Sequence, residues 1–316
     1  MGDRILQKLA DHENLSASPI FVFAADALVA GGVQALGRVG GGSSHYRTRP
    51  EFLQLVREVA GDGAVDGVLM TPADAEVLAL FEKLFAGRAV TPIVRMNAET
   101  GIWNPRHGTY RSQQSLPFPT VPLEAAQYCE EVAGAAISCH VHIGLYSLTL
   151  NNDVHYDEHA LDAYLRFAQA VGRMPRFGHF LEVFLPNVRR MGLGDEQCGA
   201  LVADSIVRSM SYLRAHERPL LVKTEYTTPS TWRELCSFDP TLVVGALGGP
   251  RLGPRATLQL ASDVIENGGR AILFGRSVFE EENPVAMARA LRSVLDREQP
   301  AGAAHEAYAK AVGGAR

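Results

Sequence analysis

Short apolar segments alternate with amphipathic segments along nearly the whole chain, and this alternation is what most limits the fold. Eight apolar runs have the length of buried parallel strands. They lie at residues 19–26, 66–72, 91–97, 134–144, 177–184, 219–223, 241–250 and 270–276. Helix-like stretches separate them, and a further helix is predicted at about residues 3–13. We therefore predict an α/β protein, a single (β/α)8 barrel with a leading N-terminal helix.

The runner-up fold is a doubly wound open sheet, but no Gly-x-Gly-x-x-Gly follows the first strand. We predict one domain over residues 1–316 with its barrel core at about 19–296. Residues 98–121 interrupt the alternation with polar, aromatic and proline residues, which predicts a long loop. Such a loop is either functional, as a lid or a subunit contact, or mobile. The Ala/Gly-rich residues 300–316 are expected to form a flexible tail.

The bulk composition excludes several classes of protein. A net charge of −5 gives no reason to expect nucleic acid or a membrane surface as a partner. The N-terminus lacks an apolar signal segment, so we expect a cytoplasmic protein. Four cysteines without CxxC spacing argue against a zinc site and against a disulfide framework, and we expect small core or near-surface residues there.

Lys223 closes the sixth apolar run, and polar residues follow it at once. The chain has 30 Lys plus Arg, but only four are lysines, and the other three lie in polar or helical surroundings. A lysine on a buried strand must lose its charge or find a partner, because burial disfavours the ammonium. The neutral amine is the nucleophile of Schiff-base chemistry, which arginine cannot supply. The alternative is a structural lysine paired with Glu182 or Glu225.

Chemistry in such a barrel sits at the carboxyl ends of the strands, so the residues there are site candidates. Gly248 and Gly249 follow strand seven and Gly275 follows strand eight, where barrels commonly bind phosphate; we call these segments the glycine turns. Glycine lets backbone N–H groups approach an anion, and the neighbouring Arg276 can add a bidentate contact. Tight strand-to-helix turns are the alternative explanation.

His140 and His142 alternate on the predicted fourth strand, so both side chains face one side of the sheet. If that side is the barrel interior, either histidine can act as general acid or base near neutral pH. A core histidine bonded to a backbone carbonyl is the alternative. A metal pair is disfavoured because no third ligand stands out. We therefore predict neither a metal nor a cofactor.

Two carboxylates remain open in role. Asp26 ends the first strand and can pair with the lysine, move a proton to a substrate hydroxyl, or cap the following turn. Glu182, if it faces inward, is catalytic or pairs with Lys223; if it faces outward, it is solvated. Substrate contacts are also open to loop residues that nothing singles out, namely His45, Tyr46, Trp103, His107 and Tyr110.

Several of these segments resemble the archaeal-type class I fructose-bisphosphate aldolases and their relatives, which include the 2-amino-3,7-dideoxy-heptulosonate synthases and the autoinducer-2 thiolase. Residues 222–227 (Val-Lys-Thr-Glu-Tyr-Thr) are similar to the family's Schiff-base strand, which implies that Lys223 is the nucleophile. Residues 248–251 and 274–279 are similar to its two phosphate-binding turns. The resemblance covers roughly residues 19–296.

The resemblance also bears on the remaining site residues. Asp26 matches the carboxylate that closes the family's first strand, and residues 140–144 are similar to the strand whose tyrosine or histidine acts as acid or base. The sequence departs from the family after Asp26, where Ala27-Leu28 replace the frequent His-Gly and the glycine-rich loop is enlarged. Since the departures lie at the substrate mouth, they affect the expected substrate more than the lysine.

These observations predict a metal-independent class I aldolase, a carbon–carbon lyase or transferase of biosynthesis. Lys223 would form an imine with a phosphorylated sugar or small keto compound, and His140 or His142 with Asp26 would move protons. The phosphate would bind at the glycine turns and Arg276, and relatives imply a homo-oligomer. Two alternatives are a catalytically silent, phosphate-binding barrel, in which Lys223 is charged and ion-paired, and a metal-dependent enzyme that chelators inhibit.

Overall fold

A computed structural model describes residues 3–11, 18–39, 45–98, 104–118, 121–132, 136–188 and 192–314. Eight strands pair in parallel and close into a barrel in the order β1-β10-β9-β8-β7-β6-β3-β2. They are β1 Ile20–Ala25, β2 Gly67–Met70, β3 Thr91–Arg95, β6 Ile143–Thr149, β7 Gly178–Phe184, β8 Leu221–Thr224, β9 Val244–Leu247 and β10 Ala271–Phe274. This confirms the predicted (β/α)8 barrel and its leading helix.

Helices surround the barrel, and most follow the strands as the alternation predicts. In chain order they are α1 Arg4–Ala10, α2 Leu28–Gly31, α3 Arg49–Asp62, α4 Pro72–Ala75, α5 Leu123–Ala126, α6 Val154–Val171, α7 Asp195–Met210, α8 Pro229–Phe238, α9 Pro254–Glu266, α10 Arg276–Phe279, α11 Pro284–Leu295 and α12 Ala301–Gly313. A π-helical turn at Glu76–Phe81 extends α4. Several begin with a side-chain cap and a proline in the first turn, as α3 does with the capping box of Thr48 and Glu51.

Side-chain alternation along the strands divides the core into two parts. In β1, Ile20 and Val22 point into the barrel, whereas Phe21 and Phe23 pack in the layer between strands and helices. All six residues of β1 are buried, which explains why the strands read as continuous apolar runs. Toward the amino-terminal ends of the strands, the barrel interior is therefore filled by a packed aliphatic core and is not a channel.

Helix α1 closes the amino-terminal end of the barrel. The side chain of Ile5, in this helix, is fully buried among interior residues such as Ile20 and Ile93. Gly67 at the start of β2 makes room for it, because a Cβ atom at that position would lie 2.6 Å from Ile5 Cδ1. Helix α1 thus covers the amino-terminal end of the barrel.

The predicted fourth strand at 134–144 is wrong. Cys129–Val132 and Ala136–Cys139 form an antiparallel hairpin, β4 and β5, outside the barrel. The barrel strand is instead Ile143–Thr149, whose seven residues are all buried, whereas Ile137 in the hairpin is 71% exposed. Two apolar runs follow one another here. The first has the residue pattern of a buried strand, but its hairpin strand lies outside the barrel core.

The cysteine prediction is wrong for two of the four residues, because Cys129 and Cys139 form a disulfide across this hairpin. Cys198 is buried and Cys236 is half-buried, and both are free thiols, as expected. The predicted flexible tail is also wrong, since Ala301–Gly313 is a helix that packs on α9 and α11. Its Tyr308 is buried. Alanine, which dominates this segment, is the best helix former.

The described part of the long segment 98–121 lies at the carboxyl end of the barrel. Its described residues 104–118 contain no helix or strand. Two asparagines that follow barrel strands hold it: Asn151 exchanges two hydrogen bonds with the backbone of Ser115, at 2.8 and 3.0 Å. Asn187 Nδ2 donates to the carbonyl oxygens of Tyr110 and Gln113, at 2.5 and 2.7 Å. The loop is therefore tied to the open end.

Candidate active site

A layer of charged and polar side chains lies above the aliphatic core, at the carboxyl end of the barrel. Four strands contribute to it, because the positions after the interior aliphatic residues carry Arg95, Ser147, Glu182 and Lys223. The register places Glu182 beside Lys223 and Ser147 beside Glu182 on neighbouring strands. Residues in register on adjacent parallel strands point the same way, so the backbone itself brings these groups together.

Lys223 and Glu182 form a buried ion pair. The Nζ atom of Lys223 lies 2.5 Å from Oε1 of Glu182, and the two residues are 4% and 1% exposed. Burial would raise the pKa of Glu182, but the charges of Lys223 and Arg95 together outweigh it and lower that pKa to about 2. Glu182 is therefore the inward-facing partner that the sequence left open.

Arg95 joins the two carboxylates of the site. Its Nη1 atom lies 2.9 Å from Oε2 of Glu182, and its Nη2 atom lies 2.5 Å from Oδ2 of Asp26. Ser147 accepts a hydrogen bond from Arg95 and donates one of 2.5 Å to Glu182 Oε2. Two cations and two carboxylates thus share one buried network, which gives each charge a partner.

Asp26 pairs with Arg95 rather than with the lysine. Its side chain is 8% exposed and does not cap the following turn, where its backbone carbonyl accepts a hydrogen bond from Val29 N. Of the three roles considered for Asp26, direct pairing with Lys223 and capping are not what the structure shows. Asp26 nevertheless lines the same cavity as Lys223.

An open cavity of about 380 Å³ lies on this network. Its wall includes Lys223, Glu182, Arg95 and Asp26, the glycine turns and Arg276, together with residues that follow β1. Asn104 from the long loop also contributes. The structure therefore gathers the lysine, Asp26 and every predicted phosphate-binding residue around one space.

The glycine turns have steric reasons for their composition. Gly249 has φ +60°, in the left-handed region that favours glycine. A Cβ at Gly275 would lie 2.5 Å from the carbonyl oxygen of Ala24, so the turn passes directly against β1. The tight-turn explanation thus holds for these glycines. It coexists with the anion-binding hypothesis, since the same turns border the cavity and the exposed Arg276.

His140 and His142 lie at the opposite end of the barrel from Lys223. They precede β6, and the carbonyl of His142 accepts a hydrogen bond from Gly178 N at the start of β7. The ring of His140 bonds to Glu130 of the hairpin at 3.0 Å. Their expected place beside the lysine depended on the incorrect fourth strand, so neither is retained as an acid/base candidate.

Arg95 and Ser147 were not predicted. Arg95 lies two residues before the end of the predicted run 91–97, so its side chain faces the same side as the strand-end residue, and alternation along β3 held a signal for it. Ser147 carried no signal because the predicted fourth strand began nine residues before the observed β6 and ended at residue 144. Trp103 lies outside the described residues. The side chains of His107 and Tyr110 belong to the long loop.

The described part of the chain contains no cluster of three or more His, Cys, Asp or Glu side chains that could hold a metal ion. None of the helices in this part has the length and the hydropathy needed to cross a membrane.

Sequence comparison finds relatives over part of the chain, and no family model matches it. The 3-hydroxy-5-phosphonooxypentane-2,4-dione thiolase of Shigella flexneri serotype 5b is 27% identical over 128 residues, which are 40% of this chain and 48% of that protein. The thiolase of Yersinia pestis is 24% identical over 151 residues, 48% of each protein. The chain thus spans about half the length of the curated relatives it matches.

Structure comparison extends the likeness to the whole barrel. The fructose-bisphosphate aldolase of Slackia heliotrinireducens has a TM-score of 0.70 at 13% identity, covering 97% of this chain and 91% of its own. An archaeal fructose-1,6-bisphosphate aldolase, described with its catalytic Lys covalently bound to a carbinolamine intermediate, has a TM-score of 0.60 at 18% identity and covers 89% and 95%. These likenesses show the fold. Together with the thiolase, they confirm the predicted resemblance to the archaeal-type class I aldolases and the thiolase branch.

Proposed function

We propose that the protein is a Schiff-base-forming, class I aldolase-type lyase or transferase with Lys223 as nucleophile. The observation that carries the proposal is the amine of Lys223 on the wall of a cavity that also includes the glycine turns and Arg276. A carbonyl compound held by its phosphate would have its reactive carbon within reach of the amine. The similar archaeal aldolase, whose catalytic Lys is covalently bound to a carbinolamine, supports this chemistry.

The charges of the site suit imine formation. When an ammonium and a carbonyl become an iminium and water, no net proton is released, because the carbonyl oxygen leaves with two hydrogens. A positive charge therefore stands beside Glu182 before and after the reaction. The low pKa of Glu182, about 2, fits this requirement, since the carboxylate stays ionised opposite either cation.

Protons must still move within the site. The amine has to be neutral when it attacks, so one proton passes from Lys223 to a neighbour and then to the carbonyl oxygen. Glu182, at 2.5 Å from Nζ, is placed for this transfer. Cleavage of the adjacent C–C bond sends its electron pair to the iminium, giving an enamine, while a base removes the hydroxyl proton at the other carbon. Asp26, on the same cavity, is the candidate base.

The substrate class follows from the phosphate site. Gly248, Gly249, Gly275 and Arg276 are proposed to hold a phosphate on a sugar or a small keto compound. Binding energy from that phosphate would fix the carbonyl over the amine and lower the entropic cost of the attack. The thiolase relatives, whose name specifies a phosphonooxy compound, support a phosphorylated substrate.

Borohydride trapping tests the proposal. The protein is reduced with sodium borohydride in the presence of dihydroxyacetone phosphate, phosphorylated sugars and small keto acids, and the adduct is located by peptide mass spectrometry. We expect a stable adduct on Lys223 with at least one compound. The matched control is Lys223→Arg, which keeps a cation opposite Glu182 but cannot form an imine. An adduct of equal yield in Lys223→Arg would reject Lys223 as nucleophile.

The ion pair itself favours a second candidate, a catalytically silent barrel that binds a phosphorylated metabolite. In that protein Lys223 serves only to balance Glu182. Its signature would be phosphate binding by calorimetry without any borohydride adduct across the panel. An adduct on Lys223 from any phosphorylated carbonyl compound would exclude it.

A further inference from the structure

A second recess adjoins the catalytic cavity and has a different chemical character. It has a volume of about 300 Å³ and is lined by Gln34, Gly37, Arg38, Tyr46, Arg251 and Glu280. Gln34 and Glu280 also line the catalytic cavity, so the two spaces meet along these side chains. We call this second space the arginine recess. Lys223 is not part of its wall.

The arginine recess lies next to the glycine turns. Arg251 comes two residues after Gly249, and Glu280 directly follows the short helix α10 that Arg276 begins. The opposing wall is Gly37, where a Cβ atom would lie 2.8 Å from Cγ of Glu280 and 3.4 Å from a ring atom of Phe279, which lines the catalytic cavity. A group in the recess would therefore sit just beyond a phosphate held on the glycine turns.

Fixed guanidinium groups give the recess its charge. Arg251 forms a two-point ion pair with the buried Glu281, at 3.0 and 2.9 Å, which holds its position. Arg38 lies 4.1 Å above the ring of Tyr46 and donates a 3.0 Å hydrogen bond to its hydroxyl. Because the Tyr46 hydroxyl accepts that bond, its own proton is available to a ligand.

Glu280 is the one carboxylate in the described lining of the recess. Burial raises its pKa more than the charges of Arg276, Arg251 and Arg47 lower it. The carboxyl group thus takes up a proton more readily than an exposed glutamate, and an anion bound beside it would favour that neutral form. Its presence is compatible with an anionic ligand in the recess.

We propose that the arginine recess binds a second anionic group, attached directly beyond the phosphate on the glycine turns. The ligand would then be an extended phosphate, as in a diphosphate ester, rather than a terminal one. Arg38 and Tyr46 pair with each other in the segment after β1, and Arg251 lies in the turn after β9, so the described wall of the recess comes from both segments. The inference rests on the proposed function only in placing the first phosphate.

Calorimetric titration with simple anions tests the proposal without knowledge of the substrate. Orthophosphate and pyrophosphate are titrated in the absence of divalent cations. We expect pyrophosphate to bind about tenfold tighter than orthophosphate, the gain of one charge-assisted contact. In Arg38→Gln this ratio should fall toward one, while orthophosphate affinity is unchanged. Arg166→Gln on exposed helix α6 is the control for loss of a surface charge and should keep the ratio.

Equal affinity for both anions in the wild type, or an unchanged ratio in Arg38→Gln, would overturn the proposal. Melting curves verify that Arg38→Gln is folded, and Arg38→Lys, which keeps the charge, should retain most of the ratio. Phosphonoacetate compared with methylphosphonate identifies a carboxylate as the second group if it shows the larger gain. Anion titration and imine trapping are measured separately on the wild-type protein, so a failure of imine trapping and a failure of the recess are distinguishable.

Discussion

The two ends of the barrel each hold a lysine against a buried carboxylate, and a cavity borders the lysine at the carboxyl end. At the amino-terminal end, Lys8 Nζ lies 2.9 Å from Oδ2 of Asp66. It also donates to Ser18 Oγ at 3.1 Å and to the carbonyl oxygen of Pro19 at 3.2 Å. These three acceptors use all three N–H bonds of an ammonium. The Lys8 ammonium therefore uses all of its hydrogen-bond donors within the protein, in a structural role.

Lys223 differs in its surroundings rather than in its partner. It makes one ion pair among the described residues, to Glu182, and borders a cavity. Burial lowers the pKa of Lys8 more than Asp66 raises it, although the Lys8 site has no space for a substrate in the described residues. The comparison teaches that burial and pairing identify a constrained lysine, whereas an open space beside the amine identifies the lysine proposed to react.

The largest expected effect concerns imine formation at the two lysines. Lys223→Arg should lose the borohydride adduct completely, because no amine remains at the cavity. Lys8→Arg should retain adduct formation at Lys223, because its own site holds no substrate. Intact mass spectrometry after reduction measures both. If Lys8→Arg abolished the adduct in a folded protein, the separation of the two ends would be wrong.

Stability should show the reverse order. Asp66→Asn leaves Lys8 without its charge partner, at 2.9 Å, and removes one of the two carboxylates paired with Arg292, at 3.1 Å. It also weakens the hydrogen bond from Phe21 N. We expect a loss of about 3–5 kcal/mol in the free energy of unfolding, the usual effect of breaking a buried ion pair.

Glu182→Gln should lose less than Asp66→Asn, because water from the cavity can solvate Lys223. Urea denaturation at pH 7 compares the two variants with the wild type. If Glu182→Gln lost more stability than Asp66→Asn, the carboxyl end would contribute more to stability than the amino-terminal end. The proposed difference between the two ends would then be wrong.

The two ends of strand β7 should also differ in the pH range over which they change the stability of the protein. His179, near the start of β7, is fully buried beside Tyr164, and burial lowers its pKa from 6.5 to about 3. The unfolded chain therefore binds a proton below about pH 6.5 that the folded protein does not. Stability should fall as pH decreases through this window, by up to about 1.4 kcal/mol per unit from this group.

Urea midpoints at pH 7, 6, 5 and 4 measure this slope, and His179→Leu should flatten it whatever its absolute stability. Glu182, at the other end of β7, has a pKa lowered from 4.5 to about 2. Its contribution is therefore present above about pH 4.5 and is lost only as pH falls toward 2. An unchanged slope in His179→Leu would show that the imidazole is not kept neutral.

The smallest effect is expected at the hairpin. Cys139→Ser removes the disulfide to Cys129 at the amino-terminal side of β6, away from the cavity. Borohydride trapping at Lys223 should proceed with unchanged yield. A marked decrease, in a variant with an unaltered melting temperature, would show that the hairpin influences the opposite end.

Periodicity predicted most of the fold because the barrel depends on a regular alternation of buried runs and helices. It failed at residues 134–144, where a hairpin strand and a barrel strand follow each other and pairing partners decide between them. It also failed for Cys129 and Cys139, whose proximity depends on that same hairpin. The expected place of His140 and His142 beside the lysine depended on the incorrect strand at 134–144, so it was wrong as well.

The candidate site was predicted in part. Lys223, Asp26 and the glycine turns lie on one cavity because each follows or ends a barrel strand, a position that sequence can specify. The network through Arg95 could not be predicted, since it requires knowing that β3 and β6 are neighbours and that Ser147 lies in register with Glu182. The positions at strand ends identify candidate site residues. The register between neighbouring strands decides which of these residues contact one another.

The seam between β1 and β10 has a consequence for how the protein is made. Ile20 pairs with Ala271, so the barrel closes by joining strands from opposite ends of the sequence, and Gly275 rests against Ala24 at that junction. A ribosome-bound chain cannot form this contact until β10 has emerged, and contacts between distant segments form slowly. The cavity thus comes into existence with the final closure, and unfinished chains would carry the lysine without a place for its substrate.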